Sequence, residues 1–287
     1  PTGTHLASSS SDLTIKLWDI STYSCVRTLR GHDHTISAVA FVPNPLMPEH
    51  GNGSSNGSSS RQGSEATTTG IESSAAGTSF LVSASRDTTI KFWDVETGFV
   101  EHTITDNQDW VRCLAVRACD GELLASAGND RNISIYRTGG DRPKVATLIG
   151  HEHVIECVSF MVAPTPAEKK DRSTAASSSS KEENNYLASG SRDRSVRLWN
   201  VVTSQCLAVF KYHENWVRSV VLHPSGKYIM SAGDDRSIKI LDIKSNRCLR
   251  SLEDAHPHFV TALAMHHTLP IMVSGGVDQR VNCWQLD

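Results

Sequence analysis

Serine, aspartate and histidine recur along the chain at fixed distances, and together they are the residue types of a hydrolytic triad. A serine lies four residues before each repeated aspartate, and an aromatic residue or leucine lies six residues after it. A histidine, or in one case an asparagine, follows 20 or 21 residues after each aspartate but the last. The repeated aspartates are Asp12, Asp87, Asp130, Asp193, Asp235 and Asp278.

The recurrence itself argues against catalysis, because a triad is needed once and requires a serine presented on a strand-turn-helix element, which is not predicted here. Buried histidine and aspartate side chains need hydrogen-bond partners, and each can supply the other's. We therefore predict structural tetrads. Complete tetrads are His32/Ser83/Asp87/Trp93, His151/Ser189/Asp193/Trp199 and His256/Ser274/Asp278/Trp284. Asn107 with Tyr136, and Leu241, interrupt two others, which predicts locally weaker repeats.

The elements that must position these residues are short β-strands. Asp87 and Asp130 are 43 residues apart, and the intervals from Asp193 to Asp235 and from Asp235 to Asp278 are 42 and 43 residues. This period matches one four-stranded propeller blade with WD-type patterning. Runs such as ISAVAF, FLVSAS and TIKFWD, separated by turn residues, indicate strands. The sequence predicts an all-β fold, a WD-repeat β-propeller.

The predicted propeller covers residues 1–287, with low-complexity polar insertions at 44–79 and 163–185. The chain opens inside one blade and closes on the third strand of another, so we expect an N-terminally truncated ring. A period of about 43 residues favours seven blades in the full protein, with about six wholly or partly present here. A six-bladed ring is the alternative.

Composition excludes several classes of function. The net charge is only −3, without a basic stripe, so direct nucleic-acid binding is not expected. No apolar run approaches the roughly 18 residues of a membrane span. We find no paired carboxylates, metal-ligand spacing or phosphate loop, which predicts no enzyme, no metal and no cofactor. The repeated Cys25, Cys206 and Cys248 are predicted to be small buried residues.

Function must therefore come from the surface, at positions that vary inside the repeat. The segments QDWVR and ENWVR repeat a tryptophan followed two residues later by arginine. Other arginines stand directly before a repeated aspartate. Tryptophan and arginine are the residues that dominate binding energy at protein interfaces. The candidate partner-binding residues are Arg86, Trp110, Arg112, Arg192, Trp216 and Arg218.

The segments HEHVIECVSF, SGSRDRSVRLWN, HENWVRSVVLHPSGK and SGGVDQ together resemble the lissencephaly/nuclear-distribution (NudF-type) family of cytoplasmic dynein regulators. The resemblance implies a dimeric adaptor that binds the motor domain of the dynein heavy chain. It also implies nuclear-distribution-type cofactors and a role in nuclear migration, mitosis and organelle transport. The location implied is cytoplasmic, on microtubules and at the centrosome or spindle pole. The family's N-terminal dimerisation region lies outside this chain.

In that family the dynein-binding face uses basic and aromatic residues that match Arg86, Arg112, Arg192 and Trp216, and Arg236 stands where the family has lysine. Two other classes of WD-repeat protein remain open. One is a substrate-recruiting subunit of a ubiquitin ligase, which would use an arginine-rich face for phosphopeptides. The other is a nuclear scaffold of transcription or RNA processing.

Overall fold

The computed structural model describes residues 3–43, 80–118, 120–161, 185–266 and 269–286. In these ranges every regular element is a β-strand, and the strands form six antiparallel sheets, the blades of a propeller. No helix of the described residues is long and apolar enough to cross a membrane. The predicted all-β, WD-repeat propeller is confirmed.

Each blade is an antiparallel meander whose strands follow one another in chain order. Blade 1 contains β1 (His5–Ser9), β2 (Thr14–Asp19) and β3 (Ser24–Arg30). Blade 2 contains β4 (Ile36–Val42), β5 (Phe80–Ser85), β6 (Ile90–Asp94) and β7 (Val100–Ile104). Blade 3 contains β8 (Val111–Val116), β9 (Leu123–Gly128), β10 (Asn132–Arg137) and β11 (Lys144–Ile149). Blade 4 contains β12 (Ile155–Phe160), β13 (Tyr186–Ser191), β14 (Val196–Asn200) and β15 (Gln205–Phe210). Blade 5 contains β16 (Val217–Leu222), β17 (Tyr228–Gly233), β18 (Ile238–Asp242) and β19 (Arg247–Leu252). Blade 6 contains β20 (Val260–Met265), β21 (Ile271–Gly276) and β22 (Val281–Gln285).

The predicted insertions fall between β4 and β5 and between β12 and β13, and apart from residue 185 they lie outside the described residues. Strands β4, β8, β12, β16 and β20 each begin a blade and pack against one another in that order around the axis. They are the inner strands. The loop before each inner strand meets the turn around the repeated aspartate of the same blade, for example where Arg86 N–H donates to the Thr35 carbonyl. We call the face that carries these loops and turns the top face.

The apolar core is divided into layers between neighbouring blades. Five clusters of buried side chains lie between the six described blades, one for each pair of neighbours. In the layer between blades 1 and 2, for example, Ile15 and Leu17 pack with Leu81 and Trp93. Because each middle strand packs on both of its faces, β5 is buried along nearly its whole length. Each blade is therefore stabilised chiefly by its neighbours.

Every inner strand begins with a break in register at its top end. The pairing of β8 with β9, for instance, passes from Val111 to Cys113 and skips Arg112. A β-bulge of this kind leaves one extra residue unpaired and re-aims its side chain. The five skipped residues are Ser37, Arg112, Glu156, Arg218 and Thr261. The fold thereby re-aims one side chain at the top end of each inner strand, and we call the region where these five residues lie the channel mouth.

The predicted tetrads form chains of hydrogen bonds inside the blades. In blade 2 the Trp93 indole donates to Ser83 Oγ at 2.8 Å, and Ser83 Oγ lies 2.7 Å from His32 Nε2. His32 Nδ1 lies 2.7 Å from an Asp87 oxygen; since a carboxylate only accepts, the ring donates this bond and Nε2 accepts from the serine. The connectivity matches that of a catalytic triad, but Ser83 is fully buried and cannot meet a substrate.

The same connections recur in other blades. Blade 4 repeats the bonds from tryptophan to serine to histidine and the contact between histidine and aspartate. In blade 5 the bonds of His213 to Asp235 and Ser231 are present although Leu241 replaces the tryptophan. Burial alone would raise the pKa of Asp235, but hydrogen bonds from His213 and Ser237 outweigh it and lower that pKa to about 2.

The tetrad of blade 6 has the predicted hydrogen bonds but lacks the enclosure of the other two. The Trp284 indole donates to Ser274 Oγ at 2.8 Å, and His256 lies 2.7 Å from that oxygen and 3.0 Å from Asp278. His256 and Ser274 are fully buried, as expected of a structural tetrad, whereas Trp284 is only half-buried. Trp284 thus differs in exposure from Trp93 and Trp199, although it donates the same hydrogen bond to the tetrad serine.

The outer strand of the blade explains why Trp284 differs from its counterparts. Trp93 and Trp199 are each 1% exposed, and each lies opposite a residue of a fourth strand, Val100 in β7 and Cys206 in β15. Among the described residues no strand pairs with the outer edge of β22. Trp284 packs on the layer between blades 5 and 6 but keeps its outer side uncovered.

Blade 3 departs further, because Asn107 stands where the others have histidine. Tyr136 Oη lies within hydrogen-bond distance of Asp106 and Asn107, at 3.2 and 3.3 Å. Ser126 Oγ is left buried without a hydrogen-bond partner. Burial raises the pKa of Asp130, whose side chain accepts a hydrogen bond from the Asn132 backbone but none from a histidine.

The residue that follows each repeated aspartate has a left-handed backbone, although none is glycine. Asp87 explains the geometry, since its second oxygen accepts from the N–H and the hydroxyl of Thr89 and closes a tight turn around Thr88. The six residues are Leu13, Thr88, Arg131, Arg194, Arg236 and Gln279, with φ between 63° and 70°. The turn overrides a preference that normally reserves such φ for glycine or asparagine.

The prediction for the repeated cysteines was wrong. Cys25 and Cys206 are exposed and Cys248 is half-buried. Each lies on the outermost strand of its blade, where no further strand of the described residues covers it. The shared offset in the repeat correctly predicted that the three cysteines occupy equivalent positions in their blades. It did not predict how far their side chains are buried.

Ser189→Ala should lower the free energy of unfolding by about 2 kcal/mol, because His151 and the Trp199 indole both lose a buried partner. The matched control is Ser126→Ala at the equivalent position of blade 3, whose hydroxyl has no partner to lose; we expect less than about 0.5 kcal/mol there. Urea unfolding measures both. Equal losses would contradict the role assigned to the tetrad.

Asn107→His combined with Tyr136→Trp should complete the tetrad of blade 3 and raise the free energy of unfolding by about 1 kcal/mol. A histidine beside Asp130 lowers the pKa of that carboxyl, as His213 does for Asp235. The gain should be full above pH about 4, where unfolded aspartate is ionised, and be lost as the pH falls through the lowered folded pKa. Unfolding at pH 7 and pH 3 measures it; equal gains would indicate better packing only.

Candidate functional site

Six of the predicted partner-binding residues meet on the top face, around the channel mouth of blades 2 to 5. Two kinds of position supply the arginines. The bulges of β8 and β16 turn Arg112 and Arg218 toward the mouth. The position directly before the repeated aspartate supplies Arg86 in blade 2 and Arg192 in blade 4. The loops that lead into β8 and β16 supply the tryptophans, Trp110 and Trp216.

Each tryptophan lies close to two arginines, one from its own blade and one from the preceding blade. The Arg86 guanidinium of blade 2 lies 4.6 Å from the centre of the Trp110 ring in blade 3, and Arg112 lies 5.8 Å from it. Arg192 of blade 4 lies 4.1 Å from the ring centre of Trp216 in blade 5. These are cation–π distances, so the indoles help to fix the guanidiniums. The motif repeats every second blade.

Within blades 3, 4 and 5 the bulge residue pairs with the residue before the aspartate. In blade 3, Arg112 Nε donates to Asn129 at 2.6 Å. In blade 5, Arg218 forms a two-point contact with Asp234 at 2.8 and 2.9 Å. Blade 4, between them, reverses the arrangement: the bulge carries the acid, Glu156, and the arginine stands before the aspartate.

Glu156 lies at the centre of the cluster. It accepts a hydrogen bond from Arg192 Nε at 2.5 Å and also lies 3.5 Å from Arg112 Nη1 and 3.6 Å from Arg218 Nη1. Its side chain is only 10% exposed, and the three arginine side chains are 19–26% exposed. One carboxylate thus joins arginines of three consecutive blades. We call Arg86, Trp110, Arg112, Glu156, Arg192, Trp216 and Arg218 the Arg–Trp cluster; Asp234 lies beside it and contacts Arg218.

The cluster carries more positive than negative charge, with four guanidiniums facing the carboxylates of Glu156 and Asp234. Burial lowers the pKa of Arg112, and so does repulsion from its neighbouring arginines, while Glu156 opposes both effects. Hydrogen bonding to Asp234 raises the pKa of Arg218. Within the described ranges Arg86 makes no ion pair. The face is suited to a partner that brings negative charge.

Arg236, which was named through the family resemblance, lies apart from this cluster. It occupies the left-handed position after Asp235, its side chain is 51% exposed, and its ion pair is with Asp254 at 3.1 Å. The sequence patterns did not single out Glu156, Asn129 or Asp234. All three occupy the same variable positions as the candidate arginines, and that shared position was the available signal.

The serines and histidines considered for catalysis or metal binding have structural partners in the described part of the chain. The tetrad serines Ser83, Ser189 and Ser274 are fully buried. Histidine pairs such as His32 and His34 point to different partners, His32 into the tetrad and His34 to the backbone N–H of Thr35. Among the residues that the structure places, no three histidine, cysteine, aspartate or glutamate side chains group as metal ligands would.

The repeats of this chain match the family model of the WD domain, G-beta repeat. The matched residues are 1–19, 23–47, 62–94, 98–137, 174–200, 204–242 and 246–285. The chain belongs to the WD40-repeat family. Its blades, tetrads and bulged inner strands are consistent with that assignment.

Among WD40 proteins the chain is similar to fungal nuclear distribution proteins, which confirms the predicted resemblance. It is 40% identical over 273 residues to nuclear distribution protein PAC1 of Fusarium vanettenii, covering 91% of this chain and 53% of that protein. The PAC1 protein of Gibberella zeae is 38% identical over 288 residues, covering 97% and 55%. Nuclear distribution protein nudF of Aspergillus niger is 35% identical over 264 residues, covering 91% and 51%. The chain spans about half the length of these relatives.

Proposed function

We propose that this WD40 chain is a non-catalytic scaffold that binds the motor domain of the cytoplasmic dynein heavy chain through the Arg–Trp cluster. By binding there it would regulate the attachment of the motor to microtubules, in nuclear migration, mitosis and organelle transport. The observation that carries the proposal is the convergence of four arginines and two tryptophans from four blades on one rigid face.

The physical argument concerns the conformational entropy that side chains lose when a partner binds. Arginine and tryptophan dominate interface energies, and side chains already fixed before binding lose less conformational entropy when a partner arrives. Stacking on the indoles and pairing with Glu156 hold these arginines in place without a partner. A preformed face of this kind would favour the motor conformation that fits it and so shift the motor's population.

The names of the relatives support the same direction, since a nuclear distribution protein is expected to act on the movement of nuclei. We include in the proposal a homodimer formed through a region outside this chain and cooperation with nuclear-distribution-type cofactors. A cytoplasmic location on microtubules and at the centrosome or spindle pole belongs to it as well. Arg236 would contribute at the periphery, where its exposed side chain can leave Asp254 for a partner.

Arg192→Ala with Trp216→Ala should weaken binding to a purified dynein motor domain by at least about tenfold, because it removes one half of the stacked pairs. Fluorescence anisotropy or surface plasmon resonance with the wild-type chain provides the comparison. Near-wild-type circular dichroism would establish that the variant is folded.

The matched control replaces an arginine and an aromatic residue at the outer edge, Arg250→Ala with Tyr23→Ala, both of which are exposed. Binding of this control should remain at the wild-type level. Unchanged affinity of the Arg192/Trp216 variant would overturn the site. If the folded wild-type chain does not bind the motor at all, the arginine-rich face would favour phosphopeptide recognition by a ubiquitin-ligase subunit.

A further inference from the structure

We infer that Glu156 is the positioning residue of the Arg–Trp cluster, holding arginines of three blades in the arrangement that binds the partner. The inference rests on the proposed function for what is bound. It adds a residue of opposite charge, which would not contact the partner itself but would act through Arg112, Arg192 and Arg218. Its place in the fold is the extra residue of the β12 bulge.

The geometry separates Glu156 from an ordinary surface counter-ion. The three guanidiniums that surround it come from β8, the β13–β14 turn and β16, at 2.5 to 3.6 Å. A side chain that is 10% exposed at this junction has little room for water to replace these contacts. The neighbouring bulges of β8 and β16 carry the two arginines on either side. The alternation Arg112, Glu156, Arg218 therefore follows the channel mouth from blade 3 to blade 5.

Electrostatics gives the reason that this position is acidic. Burial disfavours the charged form of Arg112, and so does repulsion from Arg86, Arg192 and Arg218. The negative charge of Glu156 opposes that repulsion. Because a guanidinium stays charged at any ordinary pH, repulsion is relieved by movement of the side chains and not by loss of a proton. Without the Glu156 charge, the three arginines should spread apart and leave their positions over the indoles of Trp110 and Trp216.

Asp234 provides a matched comparison beside the cluster. It is also a carboxylate, but its hydrogen bonds go to Arg218 alone, in its own blade. Removing its charge changes the net charge of the face by the same amount as removing that of Glu156. Only Glu156 joins neighbouring blades, so the two variants separate position from net charge.

The experiment compares Glu156→Gln with Asp234→Asn in the whole chain. We expect Glu156→Gln to weaken binding to the dynein motor domain by roughly tenfold or more and Asp234→Asn by less than about threefold. Quenching of tryptophan fluorescence by acrylamide, which is uncharged and needs no partner, should increase in Glu156→Gln when the guanidiniums leave Trp110 and Trp216. The same measurement in a Trp110→Phe/Trp216→Phe background should show no such increase, because the other tryptophans lie outside the cluster.

Unchanged or tighter binding by Glu156→Gln would overturn the inference, since Glu156 would then merely neutralise charge that the partner could use. Equal losses in the two variants would overturn it as well, because net charge would explain both. If Glu156→Gln does not fold, Glu156→Asp keeps the charge but is one methylene too short to reach all three arginines. Wild-type binding and quenching by Glu156→Asp would count against the inference.

Failure of the proposed function has a different signature. If the wild-type chain does not bind the motor, the proposed function fails, while quenching still decides whether Glu156 holds the arginines on the indoles. If the wild-type chain binds, the Arg192/Trp216 variant does not, and Glu156→Gln binds normally, the proposed function stands and the role of Glu156 is rejected.

Discussion

The top face of this propeller depends on a buried histidine that donates to one aspartate. In blade 4, His151 fixes Asp193, and the second oxygen of Asp193 closes the turn that follows. The residue before that aspartate, Arg192, and the loop that starts at the histidine are thereby held at the same edge. In the blades that carry the histidine, the residues displayed around the channel mouth are attached to this anchor. The hydrogen bonds that resemble an active site therefore hold in place the surface that is proposed to bind the partner.

The second constraint is the electrostatics of bringing four guanidiniums together. Two means make the arrangement stable, namely indole faces under Arg86 and Arg192 and carboxylates beside Arg192 and Arg218. The bulges place these groups because they turn a residue that a regular strand would point elsewhere. Backbone irregularity and charge pairing are thus parts of one design, and neither would give an ordered basic face by itself.

Much of the fold could be predicted from the sequence, because each blade repeats the same local hydrogen-bonding problem at fixed offsets. The tetrads of blades 2, 4 and 6 could be located for that reason, but the exposure of Trp284 could not, since it depends on the strand beside it. The grouping of Arg86 with Trp110 was equally out of reach, because it joins two blades whose relative placement is set by packing. Glu156 illustrates the limit most clearly: at its own position it is one variable residue among five. Its neighbours across two blade boundaries give it a role.

The left-handed residue after each aspartate has a consequence for how such a face changes over generations. The turn imposes the backbone, and the side chain at that position is leucine, threonine, arginine or glutamine in different blades without altering it. Chemical identity at the rim is therefore uncoupled from the information that specifies the fold. A diverging copy can therefore change the surface chemistry at this position by single substitutions while the turn stays intact. The surface chemistry of the propeller can in this way change in one blade at a time.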